Sequence, residues 1–189
     1  MNVRQLEHGR VELIVGDIVD QETDAIVNAA NSTLLGGGGV DGAIHRAAGP
    51  ELLELCRRLP ADAEGRRCLT GDVKTTAATG KLHCKYVIHA VGPFYNAGSA
   101  SRAETQLRNV HERAMAAAVQ SNCRSVAFPA ISTGAYRFPI VSAARIAIDS
   151  ICSQLQSRDE IDLVRFVLFA KPDLDVFAAE LAAWQPAAI

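Results

Sequence analysis

The chain has 189 residues, 49% hydrophobic and 21% charged, with 19 Lys and Arg against 21 Asp and Glu for a formal net charge of -2. That length can bury the core of one ordinary domain without disulfides or a structural metal, and a near-neutral chain lacks the basic stripe expected of a nucleic-acid partner. No apolar run approaches the roughly 18 residues of a membrane span, MNVRQLEHGR lacks the apolar segment of a secretory signal, and the five cysteines form no CxxC pair, as expected for reduced thiols in the cytoplasm.

In chain order, β-branched apolar runs bounded by Gly, Pro, Asp or Asn predict buried strands at Val11–Val15 and Ala25–Ala29. The second runs into NAANSTLLGGGGVDGAIH, Asn28–His45, where four consecutive glycines precede a short amphipathic helix, VDGAIHRAA. Bare backbone is costly in ordered structure, so it suits a place where a ligand or another segment approaches closely. A weaker strand is expected at Asp72–Thr76 and a strong one at Tyr86–Val91. The segment 101–120 opens with the capping-box pattern Ser101-x-x-Glu104 and carries Leu107, Val110, Ala114 and Ala117 on one face. A strand at Ser125–Phe128 leads through PAISTGAYRFP to a helix starting near Pro139, with Val141, Ala144, Ile148, Ile151 and Leu155 as its stripe. A strand at Leu163–Ala170 and a helix with Leu174, Phe177, Leu181 and Trp184 complete the chain. The basic clusters CRRL and EGRRC read as solvated arginines on a helix end and a loop.

Strands alternating with helices predict an α/β architecture, one domain over 1–189 with helices on both faces of a mostly parallel sheet. Ligands bind such sheets beyond the carboxyl ends of the strands. GDI, NAAN with the glycine loop, GPFYNAG and PAISTGAYRFP each follow a strand, so parallel neighbours would gather all four on one cleft. The glycine loop and the Ser132–Gly134 turn, each leading into a helix, make two anion cradles suited to a diphosphate. The P-loop pattern fails for lack of Gly-Lys-Ser/Thr. Gly37-x-Gly39-x-x-Gly42 matches the dinucleotide fingerprint in form, but Asp62 and Glu64, about 20 positions on, lie in a polar loop and not at a strand end.

No GxSxG surrounds Ser132, no HExxH occurs, and the histidines at 8, 45, 83, 89 and 111 lack ligand spacing, so no metal is indicated. His89, inside an apolar strand, reads as a satisfied core or cleft-edge histidine. His45, one turn after Asp41, fits ligand contact and helix packing equally well. Asp41 at a helix start reads as a cap, or as a carboxylate held ionised by the helix dipole and able to partner a water. Asn28 and Asn31 can bond sugar hydroxyls or form Asx turns, and Asp17 can accept from an exocyclic amine or cap a turn.

Taken in this order, GDI, NAAN, GGGGVDGAIH, GP and PAISTGAYRFP resemble the macrodomain family along essentially the whole chain, above all its bacterial MacroD-type deacetylase branch. The resemblance implies a three-layer αβα sandwich with a mixed, mostly parallel sheet that binds ADP-ribose above the strand ends. It implies Asp17 at the adenine amino group with an Ile18 backbone contact beside it, and Phe169 by the adenine ring, although strand-end core packing explains that aromatic equally. Gly38, Gly39 and Val40 correspond to the first phosphate loop, and Ser132, Thr133, Gly134, Ala135 and Tyr136 to the second. Asn31 is implied at the distal ribose, Asp41 as the group that activates water, and Tyr136 as a cover over the sugar. Asn28 and His45 complete the substrate-contacting candidates. The implied reaction is hydrolysis of an ester at the distal ribose, in O-acetyl-ADP-ribose or in mono-ADP-ribosylated proteins modified on acidic side chains. It needs no metal or cofactor, and a monomer is the expected state. A non-catalytic reader of ADP-ribose and a phosphatase acting on ADP-ribose phosphate are the alternatives, and Asp41 favours an enzyme over a reader.

Overall fold

A computed structural model describes residues 1–186. Its strands are β1 (Val3–Gln5), β2 (Arg10–Val15), β3 (Ala25–Ala29), β4 (Val73–Ala77), β5 (Tyr86–Ala90), β6 (Ser125–Phe128) and β7 (Leu163–Leu168). They form one sheet in the order β1-β2-β7-β6-β3-β5-β4. The five inner strands run parallel, and the edge strands β1 and β4 pair antiparallel to β2 and β5. Helices α1 (Gly39–Ala48) and α2 (Pro50–Arg58) cover one face, and α3 (Ala100–Gln120), α4 (Ile140–Ser157) and α5 (Lys171–Ala183) the other. The result is the mixed, mostly parallel αβα sandwich expected.

Inner strands are buried on both faces, which is why they read as continuous apolar runs. In β3, Ala25 and Val27 join the α3–α5 core while Ile26 joins the α1–α2 core. The period of two therefore puts Asn28 on the α1 side, under the glycine loop. Below, the Asp24 carboxylate ties three strand starts together, accepting from Lys85 Nζ at 2.7 Å and from the backbone amides of Arg124 and Ser125 at 2.8 and 3.1 Å. The Lys85 hydrogen bond, the Arg124 amide and the Ser125 hydroxyl lower its pKa to about 2. β3, β5 and β6 thus start level, and the loops at their far ends meet.

Several expectations are corrected. β7 ends at Leu168, not Ala170, and Phe169 beyond it is 93% exposed. The Ser101-x-x-Glu104 box does not form: α3 already starts at Ala100, fed by a 3-10 turn over Ala97–Ser99 whose cap, Asn96, accepts from Gly98 N at 2.9 Å. Val141 lies in the first turn of α4 and stays exposed, while Ala143, Ile146 and Ala147 widen the buried stripe. Trp184 follows the last residue of α5 yet is buried, with Arg4 over its ring. β1 was not anticipated, because a three-residue strand shows too little periodicity; the helix end read at CRRL is that of α2, which follows α1 without a break except Gly49, at φ +75°. Among the described residues no helix is long and apolar enough to cross a membrane.

Candidate active site

The glycine loop delivers α1 with its amino terminus open. Gly38 caps the helix, so the amides of Gly39, Val40 and Asp41 in the first turn have no intrahelical acceptor. A methyl group added at Gly38 or Gly39 would meet nothing within 4 Å, and Gly39 has φ +57°, a conformation that glycine adopts freely. Accessible amides at a positive helix end form an anion cradle.

Asp41, in that first turn, is only 3% exposed. Its Oδ1 accepts from Asn28 Nδ2 at 2.7 Å and lies 3.5 Å from His45 Nε2. Its Oδ2 has no partner among the described residues. A methyl group at Gly37 would sit 2.9 Å from that oxygen and 3.3 Å from Asn31 Nδ2, so both groups border one small gap. Burial pushes the Asp41 pKa above its ordinary value, with Asn28 and His45 pulling the other way. Asp41 is not the helix cap, since Gly38 holds that position and no side chain caps it, and desolvation makes the carboxylate a stronger base than an exposed one.

Asn28 is fully buried behind Asp41, and its amide also meets His89 Nδ1 at 3.2 Å. His89 is fully buried too, held neutral with its pKa pushed down to about 3 by burial, and its Nε2 lies 3.0 Å from Thr76 Oγ1. Asn31 forms an Asx turn: Oδ1 accepts from Thr33 N at 3.0 Å, and Nδ2 donates to Gly36 O at 2.9 Å.

The second cradle is the turn after β6. Ser132 has φ +67°, and its carbonyl accepts from Phe138 N at 3.0 Å while Gly134 O accepts from Arg137 N at 2.9 Å. Thr133 Oγ1 donates to Ala130 O, and Gly134 and Ala135 are exposed. The turn is welded to the loop after β5: a methyl group at Gly92 would collide with Ser132 Oγ, Tyr95 N donates to Tyr136 O at 2.9 Å, and Phe94 stacks on Tyr136 with centroids 3.8 Å apart. Burial and the Asp41 charge both raise the Tyr136 pKa, which puts the phenol and the carboxylate in one electrostatic environment.

At the other end, Asp17 is exposed and accepts from Val19 N at 3.1 Å, while the Ile18 side chain is core. Phe169 stands one position past the Val15–Leu168 pair, beside the Gly16–Asp17 turn, so its exposure rules out strand-end core packing. The loops after β2, β3, β5, β6 and β7 thus line one rim, and Asp41 lies in its floor.

A family model described as Macro domain matches residues 27–147 of this chain. The chain belongs to the macro domain family. A macro domain-containing protein of Chlorobaculum tepidum is 46% identical over 173 residues, 92% of this chain and 96% of that protein. One from Streptomyces coelicolor is 47% identical over 171 residues, covering 90% and 98%. The Oceanobacillus iheyensis macrodomain with ADP superposes with a TM-score of 0.89 at 40% identity, covering 95% of this chain and 94% of that one. The Trypanosoma brucei macrodomain in complex with ADP-ribose gives 0.79 at 35% identity, covering 89% and 68%.

Sequence reasoning missed the contacts of Thr76, Cys56 and Phe94 in this macro domain. One signal was available: Asn28 and His89 are each the fourth residue of a buried strand, and two polar residues at matching positions suggest a pair. Among the described residues no three His, Cys, Asp or Glu side chains gather as a metal group. A groove of about 550 Å³ between α3, α4 and α5 lies on the opposite face of the sheet, where Arg108 and Trp184 already bond to Asp149 at 2.8 and 3.2 Å.

Proposed function

We propose that the cleft binds ADP-ribose and that the protein, a MacroD-type enzyme, hydrolyses an ester at the distal ribose. The observation that carries this reading is Asp41: a buried carboxylate of raised pKa with one oxygen free, at the head of a helix whose open amides fit a diphosphate. The ADP and ADP-ribose complexes of the Oceanobacillus and Trypanosoma macrodomains support the ligand class.

In the proposed complex, the amides of Gly38, Gly39 and Val40 and those of the Ser132–Tyr136 turn hold the diphosphate. Asp17 receives the adenine amino group, with Phe169 against the ring. The second N–H of Asn31 Nδ2 donates to a ribose hydroxyl, and Tyr136 closes over the sugar. Asp41 Oδ2 then orients a water and takes its proton as the water oxygen attacks the ester carbonyl. As the acyl–oxygen bond breaks, Asp41 passes that proton to the leaving ribose oxygen, giving ADP-ribose and acetic acid, or ADP-ribose and a side-chain carboxylic acid, which then ionises. Fixing the diphosphate makes the attack effectively intramolecular, which is the main source of rate, and the positioned base adds to it. No metal or cofactor takes part. The whole chain acts as one domain and a cytoplasmic monomer, a compartment that fits its five free cysteines.

The test is incubation with O-acetyl-ADP-ribose in the presence of a chelator, following ADP-ribose by chromatography. Conversion well above the no-protein rate supports the hydrolase. Tight ADP-ribose binding without conversion turns the reading to a reader, and phosphate release from ADP-ribose phosphate turns it to a phosphatase.

A further inference from the structure

The polar chain behind Asp41 has a direction. Parallel register makes Asn28 in β3 and His89 in β5 direct neighbours. One N–H of Asn28 meets Asp41 Oδ1 at 2.7 Å and the other meets His89 Nδ1 at 3.2 Å. A carboxylate only accepts, so the amide nitrogen must face Asp41, and His89 Nδ1 must then present a lone pair. The imidazole proton sits on Nε2, which lies 3.0 Å from Thr76 Oγ1 and 3.6 Å from Cys56 Sγ. If the Asn28 amide turned over, its oxygen would face the Asp41 carboxylate and the His89 lone pair, replacing two hydrogen bonds by two acceptor–acceptor contacts.

We propose that His89 is a positioning residue: its neutral Nε2–H tautomer, anchored on Thr76, fixes the Asn28 amide so that Asp41 Oδ1 stays occupied and Oδ2 is left for the substrate water. The proposal rests on the reading of Asp41 as the base. It gives a role to an imidazole that touches no substrate and that a packing account would leave interchangeable with Phe. The titratable groups around Asp41 are His45 on α1, Cys56 on α2 and Tyr136 after β6, all retained in the variants below.

The experiment compares the wild-type chain with His89→Phe and Thr76→Val. It reads kcat and KM on O-acetyl-ADP-ribose, the pH titration of the carbon-13-labelled Asp41 carboxyl, and the nitrogen-15 spectrum of His89. His89→Phe should lower kcat on the order of 10- to 100-fold while KM and the Kd for ADP-ribose change less than about twofold. The Asp41 titration should move to higher pH, because the Asn28 hydrogen bond that stabilises its anion is no longer fixed. Thr76→Val keeps the imidazole and removes its acceptor, so it should give smaller changes in the same directions. The wild-type spectrum should show the proton on Nε2. A proton on Nδ1, or an Asp41 titration unmoved in the variants, overturns the proposal. If the wild type hydrolyses nothing while the titration still moves, the hydrolase reading fails and the positioning of Asp41 stands. Should His89→Phe not fold, Thr76→Val and the spectrum decide.

Discussion

Asp41→Asn keeps the size of the side chain and separates a general base from a charge that only stabilises the helix start. As a first-turn charge, the carboxylate near the amino terminus of α1 would contribute about 0.3–1 kcal/mol through the dipole, and its loss would lower stability by that amount. Yet Asp41 is 3% exposed and its folded pKa lies above the ordinary value, so burial outweighs the Asn28 hydrogen bond and His45 together. A raised pKa means that the folded chain binds the proton more tightly than the unfolded one. Stability therefore falls as pH rises from the unfolded pKa through the folded one, and the penalty is carried wherever the buried carboxylate is ionised. Each tenfold difference in that equilibrium is about 1.4 kcal/mol, and for a chain of 189 residues each kcal/mol moves Tm by about 2–4 °C. A neutral Asn, whose oxygen still accepts from Asn28, should thus raise Tm at pH 7 and not lower it. Turnover should fall by roughly 10²- to 10⁴-fold with the loss of the base, while ADP-ribose binding in calorimetry is kept. A lower Tm with hydrolysis intact would refute the reasoning and leave Asp41 as a charge that only stabilises the first turn of α1.

Gly92→Ala forces a methyl group into Ser132 Oγ and Ile131 Cγ2, prising apart the loops after β5 and β6. It should destabilise by about 1–3 kcal/mol in urea unfolding and weaken ADP-ribose binding; no change in either would mean that the two loops are not coupled. Phe169→Ala removes a ring that is 93% exposed, so stability should stay within about 0.5 kcal/mol while ADP-ribose affinity drops by about 0.5–1.5 kcal/mol, and unaltered affinity would remove Phe169 from the site. His89 and His111 are buried neutral with pKa values pushed down to about 3 and about 4, against 6.5 for a free histidine. The unfolded chain binds more protons between these values, so stability is full above the free value and is lost as pH falls below it, at up to about 1.4 kcal/mol per pH unit for each histidine. Urea titrations between about pH 5 and pH 7 should show that slope, and His111→Gln should remove about half of it; a flat profile would mean that water reaches both rings.

Much of this protein is local and therefore legible in its sequence. β3 and β6 appear at their predicted bounds because a strand buried on both faces must be apolar throughout and must stop at polar or turn-forming residues. The glycine run before Asp41 declares a close backbone approach, since little else justifies four unrestricted residues in succession. The order of the strand-following loops likewise placed the candidate groups at one end of the sheet. Tertiary structure decided the rest, because register, burial and desolvation sum over residues far apart in the chain. Ser101 and Glu104 carry a capping signal, but the turn capped by Asn96 starts the helix first. Phe169 fits a strand core by composition, and only the end of β7 at Leu168 turns it outward. Asp41 looks dipole-stabilised from its neighbours in sequence, whereas its basicity is set by the protein packed around it. Asn28 and His89 are 61 positions apart, and no local pattern says that β3 lies against β5 in the register that joins them.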